Sequence, residues 1–120
     1  FGVNDTTIQD GERRVQVLDS IQNARLILST AKRLFPVLMV GPPVVTDEDR
    51  NSRNVSLSHE YARVCSELDV PYLDVYPPLE KSELCLAEIA AYDGFHPRSA
   101  GYAELARVVG SWPAWLDWFK

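Results

Sequence analysis

No stretch of this sequence approaches the roughly 18 consecutive apolar residues of a membrane-spanning helix, and nowhere does a basic segment lead into an apolar one as in a secretory leader. Cysteine is scarce. Cys65 and Cys85 stand in no C-x-x-C pair and at no spacing from histidine that zinc or dithiol chemistry uses. Both are read as reduced filler, which with no visible leader favours a cytoplasmic setting, although a chain opening on Phe1 can continue upstream. Positive charge is also short: 12 Lys and Arg against 17 Asp and Glu leave a formal net charge of −5. Nucleic acid and anionic membranes are held by clustered cations, so neither is expected as a partner. An uncharged or cationic small molecule fits better. Internal repeats, low-complexity tracts and interdomain linkers are absent.

What remains has the composition of one globular domain over residues 1–120, with 46% hydrophobic and 24% charged residues. Val17, Ile21, Ala24, Leu28, Ala31 and Phe35 recur at steps of four and three, which predicts a helix over 13–34 ended by Pro36. The apolar run 37–40, closed by Gly41-Pro42-Pro43, reads as a strand buried on both faces. Polar residues 46–54 predict a surface loop; within it, Asp47-Glu48-Asp49 lacks the spaced ligands and glycine of a calcium loop. Leu57, Tyr61, Val64 and Leu68 mark the inner face of a second helix, and a second strand follows over 70–75. Pro77-Pro78 is expected to break the chain, with a loop and short helix over 79–92. A last helix turns Tyr102, Leu105, Ala106 and Val109 inward. Trp112, Trp115, Trp118 and Phe119 are expected to pack the terminal helix onto the sheet.

This alternation predicts a doubly wound, three-layer α/β/α arrangement, flavodoxin-like in outline. Only two complete strands are visible, with the tail of another ending at Phe1-Gly2. The expectation is therefore an N-terminally truncated fold, the C-terminal part of a domain. Its open sheet edge would support self-association or take a partner chain.

Ligands of open α/β sheets bind beyond the carboxyl ends of the strands. Gly2-Val3-Asn4-Asp5 follows the first strand tail, Gly41-Pro42-Pro43 the second strand, and Asp93-Gly94-Phe95-His96-Pro97 precedes the last helix. Histidine is the one side chain whose unperturbed pKa lies near neutrality, so His96 can take a proton from a hydroxyl and return it to a leaving alcohol. Asp93 can curl back across the turn at Gly94 to accept from its Nδ1–H, and Pro97 keeps His96 out of the helical region. Asn4 can offer its amide to an oxyanion, a donor whose loss typically costs about 3 to 4 kcal/mol of transition-state stabilisation. Pro42, Pro43 and Phe95 either line a substrate pocket or stiffen their loops, and His59 lies off the apolar stripe of its helix.

Gly2-Val3-Asn4-Asp5 and Asp93-Gly94-Phe95-His96-Pro97 resemble the third (G-x-N-D) and fifth (D-x-x-H-P) blocks of the SGNH, or GDSL-type, serine esterases and lipases. Their order and the elements between them match as well. The resemblance implies hydrolysis of small carboxylic esters through an acyl-serine, without metal or organic cofactor. It assigns His96 as base then acid, Asp93 as its orienting partner and Asn4 as an oxyanion donor. The first block, a G-D-S turn carrying the nucleophile, and the second, a glycine, have no counterpart. Gly110-Ser111 is the only Gly-Ser pair, and no strand precedes it. These 120 residues alone are thus expected to be inactive. Two other readings stand beside this one: a non-catalytic or partner-completed module, and a metal-assisted phosphoesterase using Asp5, Asp93 and His96.

Overall fold

The computed structural model describes all of residues 1–120. Before the first helix comes a hairpin that the periodicity did not predict: β1 (Ile8–Gln9) pairs antiparallel with β2 (Glu12–Arg13). Asp10 and Gly11 connect them with φ of 53° and 83°. A two-residue Asp-Gly loop with both residues left-handed matches the right-handed twist of the flanking strands. The first helix, α1 (Val17–Lys32), therefore starts later than expected. Its stripe buries Ala24 and Leu28 and half-buries Val17, Ile21 and Ala31. Phe35, expected on that stripe, lies beyond the helix end and is exposed.

The parallel sheet is small. β3 (Met39–Val40) pairs with β4 (Tyr72–Leu73) in the register Met39 to Tyr72 and Val40 to Leu73. Both expected strands, 37–40 and 70–75, are cut to two residues of regular pairing. The crossover between them is α2 (Glu48–Glu67), which reaches well into the expected loop. Asp47 is its N-cap, accepting from Arg50 N–H at 2.6 Å, and Glu48 and Asp49 occupy its first turn. Carboxylates there satisfy free N–H groups and face the positive end of the helix dipole. The acidic run is a helix start.

The inner face of α2 is as expected, with Leu57, Tyr61 and Val64 buried and Leu68 half-buried. They pack with Ala24 and Leu28 of α1 and with Met39, Cys65 and Val70. Leu57→Ala should destabilise the fold by about 2 to 5 kcal/mol, read as a lower urea midpoint at unchanged m-value.

A second cluster, Val44, Val75, Leu79, Cys85 and Ile89, joins the strand ends to the C-terminal helices. Pro77 and Pro78 do not break the chain: they lie in the first turn of α3 (Tyr76–Glu80), where a missing N–H leaves no bond unmade. α4 (Glu83–Ala90) follows, capped by Ser82. α5 (Ser99–Gly110) is rotated from its expected face. Gly101 is buried and Leu105, Val108 and Val109 are half-buried, whereas Tyr102 and Ala106 are exposed.

The tail also differs from expectation. α6 (Pro113–Leu116) and a 3-10 turn over Asp117–Phe119 bury no residue. Trp115 packs against Trp118 at 5.7 Å and edge-on against Phe119 at 5.2 Å, so these aromatics chiefly cover one another. Both cysteines are free and buried. One parallel pair flanked by helices, in a body of 40 × 38 × 18 Å, is an α/β unit far thinner than three full layers.

Candidate active site

The loop between α4 and α5 is built by Asp93. Its Oδ1 accepts from the backbone N–H of Phe95 at 2.9 Å and of His96 at 2.8 Å, closing an Asx-type turn. Its Oδ2 lies 2.7 Å from His96 Nδ1. The bond to the imidazole, followed by those two backbone bonds, holds the Asp93 carboxyl well below its ordinary value of 3.8, at about 2. One short side chain therefore folds the turn and engages the ring beside it.

Gly94 permits this turn. Its φ is +82°, and a Cβ there would lie 2.7 Å from Thr46 Oγ1. Thr46 also ties the loop to the start of α2, donating N–H to Gly94 C=O at 3.0 Å. Gly94→Ala combines left-handed strain with this clash and should cost about 1 to 3 kcal/mol. A thermal midpoint unchanged from wild type would contradict that.

Beyond His96, the carboxylate of Glu88 accepts from the N–H groups of Arg98 at 2.8 Å, Gly101 at 2.7 Å and Ala100 at 3.3 Å. These backbone bonds, Gly101 first, hold its pKa below the ordinary carboxylate value. Glu88 thus caps α5 from a neighbouring helix, a contact that no local spacing announces.

The other motif is a tight loop over residues 2–7. Gly2 has φ +97°, and a Cβ there would lie 2.6 Å from the Tyr61 ring. Asp5 N–H donates to Gly2 C=O at 3.0 Å, and Tyr61 O–H donates to Asp5 Oδ2 at 3.4 Å. Burial, then Asp5, pushes the Tyr61 hydroxyl upward, so it stays a donor. The first half of α2 grips the same loop. Arg53 Nε donates to Thr6 C=O at 2.9 Å, and Arg50 Nη2 donates to Val3 C=O and Thr7 Oγ1, both at 2.7 Å. Asn4 is left exposed at the tip.

The two loops, from opposite ends of the sequence, meet on one cavity of about 400 Å³ whose wall includes Asn4, Phe95 and His96. Pro42 is buried and absent from this wall; its neighbour Pro43 takes the place. The rest is mainly apolar, with Val44, Leu79, Ile89 and Leu105. Arg50 and Thr7, which the sequence patterns did not single out, also reach it, as does Tyr102, expected only as an inward residue of the last helix.

No serine lines the cavity. Ser111 is at the far end of α5, donating to Val108 C=O at 3.1 Å. Cys85 does reach the wall, but burial, then Glu88 and Glu104, raise its thiol pKa, leaving a poor nucleophile. His59 is exposed on α2. Asp5 is occupied by Tyr61, and nowhere do three acidic, imidazole or thiol side chains converge as a metal-holding group. Asp5, Asp93 and His96 are therefore not brought together as ligands. Two larger depressions, of about 770 and 590 Å³, contain no histidine and no cysteine.

The family model for the GDSL-like lipase/acylhydrolase family matches residues 1–104, a span that holds both motif loops and the first half of α5. No curated protein matches the chain. By that match the chain belongs to the GDSL-like lipase/acylhydrolase family, whose general chemistry is ester hydrolysis.

Proposed function

We propose that these residues supply the acid-base pair and one oxyanion donor of a serine esterase acting on small carboxylic esters, with the nucleophilic serine coming from polypeptide outside the 120 residues. The observation carrying this reading is the 2.7 Å contact between His96 Nδ1 and Asp93 Oδ2 on the wall shared with Asn4. With Nδ1–H donated to the carboxylate, Nε2 is the basic nitrogen. It takes the serine proton as oxygen attacks the ester carbonyl, and the new oxyanion accepts from the Asn4 amide. Collapse expels the alcohol, which receives the same proton from Nε2. Water then repeats the sequence on the acyl-serine and releases the acid. Phe95 and Pro43 contribute apolar wall to the substrate site.

The rest of the proposed domain is a three-layer α/β/α sandwich of which these residues are the C-terminal part. The free edge of β3 supports this. Phe1 lies along that edge, its backbone nitrogen 3.3 Å from Val40 C=O, beside a groove of about 240 Å³ lined by nine hydrophobic residues, including Phe1, Ile27 and Val37. A strand or partner chain laid there would cover an edge otherwise open to association. The reading is tested by a fluorophosphonate, which reacts with activated serines. The 120 residues alone should stay unlabelled, and protein carrying the nucleophile should be labelled and hydrolyse short p-nitrophenyl esters. Failure of the latter to react would count against it.

A pH dependence follows from Asp93. A depressed pKa means that its contribution to folding is present above 3.8 and is lost as pH falls towards about 2. It therefore stays charged above pH 4, and its own ionisation should not enter the acid limb of kcat/KM there. An acid limb above pH 4 that is altered by Asp93→Asn in slope, and not only in height, would contradict this.

A further inference from the structure

We infer that Arg50 is a positioning residue for the proposed hydrolysis, one side chain that holds the Asn4 loop and the His96 loop in register; the inference rests on the ester-hydrolase reading above. Nη2 of Arg50 donates to Val3 C=O and to Thr7 Oγ1, both at 2.7 Å, so its two acceptors bracket Asn4 in sequence. Its guanidinium carbon lies 4.7 Å from the ring centroid of Phe95, the residue preceding His96. A planar, delocalised cation can donate from its edge while an aromatic ring covers its face. Other tethers from this region reach one loop each, Arg53 to Thr6 and Thr46 to Gly94. Arg50 touches both.

Its setting sets it apart from a packing residue. Arg50 is 9% exposed, makes no ion pair with any carboxylate, and its Nε is buried without a hydrogen-bond partner. Burial, then Arg53, lowers its pKa, against an opposing pull from Asp47. A desolvated guanidinium held only by neutral groups favours folding less than an apolar side chain of similar length would. Nor would such a replacement strand its acceptors. Val3 and Thr7 are both half-buried, within reach of water. What the arginine adds is a link between two loops that must sit at a fixed separation for Asn4 and His96 to act on one carbonyl.

The test uses protein carrying the nucleophile, a short p-nitrophenyl ester, and the variants Arg50→Met, Arg50→Lys, Phe95→Leu and the Arg50→Met/Phe95→Leu double. Arg50→Met should lower kcat about 10- to 100-fold, the scale of a small misplacement of reacting groups, with KM within about threefold and the thermal midpoint unchanged or raised. Arg50→Lys should recover at least part of kcat. Phe95→Leu should lower kcat too, and the double variant should be no worse than Arg50→Met, because both act through one contact. Wild-type kcat in Arg50→Met overturns the inference, as does a fully multiplicative double variant. If Arg50→Met fails to fold, wild-type kcat in Phe95→Leu overturns it instead. Wild-type protein that is inert to fluorophosphonate removes the ester-hydrolase reading and the Arg50 role together. Labelled, active wild type with an unaffected Arg50→Met removes the Arg50 role alone.

Discussion

His96→Ala should reduce ester turnover by protein carrying the nucleophile on the order of 10⁵- to 10⁶-fold and abolish its labelling by fluorophosphonate. A serine hydroxyl is a weak nucleophile until a neighbouring base takes its proton, and the cavity wall offers no other group for this. His96 is the only imidazole there, and the Cys85 thiol is held protonated by burial. The loss should fall on kcat and kcat/KM alike, since the proton moves in the transition state and not on binding. Folding should change little, because His96 is exposed and the turn beneath it is made by Asp93 with backbone N–H groups. A His96→Ala protein that still turned over ester within tenfold of wild type would show that the base is elsewhere.

Asp93→Asn should be nearly as damaging, on the order of 10³- to 10⁴-fold in kcat, for a different reason. Asparagine keeps an oxygen in place of Oδ1 and can still accept from the N–H groups of Phe95 and His96, so the turn should survive. The group replacing Oδ2 becomes an amide donor. It would oppose the Nδ1–H tautomer, place the proton on Nε2 and remove the charge that steadies the imidazolium. Asp93→Ala should lose the turn as well, so a comparison of the two separates electrostatics from architecture. Equal thermal midpoints for Asn and wild type, with a lower one for Ala, are the expected pattern. Asp93→Asn with wild-type kcat would mean that the 2.7 Å contact has no part in the chemistry.

Much of this was legible in the residues, and the failures have common physical causes. Asp93, Gly94 and His96 encode their geometry within four positions, because an Asx turn and a left-handed glycine are local events. The inner face of α2 was equally readable, since burial on one side imposes a helical period. The start of α2 is hidden because Asp47-Glu48-Asp49 is polar on every side, and a capping first turn has the same composition as a surface loop. Pro77-Pro78 is ambiguous in sequence because proline breaks a helix interior but suits its first turn. α5 turned out rotated because glycine carries no hydrophobic signal. Gly101 faces inward because Pro97, Glu88 and Cys85 leave no room for a Cβ. Asn4 meets the His96 loop only because β3, α2 and the helices around the second cluster bring the ends of the chain together. Arg50 and Glu88 work through contacts many residues away in sequence, and spacing cannot reveal those.

The most direct test of the central claim is to treat protein carrying the nucleophile with a fluorophosphonate and map the modified residue by peptide mass spectrometry. The account predicts a single adduct on a serine outside these 120 residues, dependent on His96, and none on Ser111 or any other serine within them. An adduct on a serine of this chain that persists in His96→Ala would contradict it.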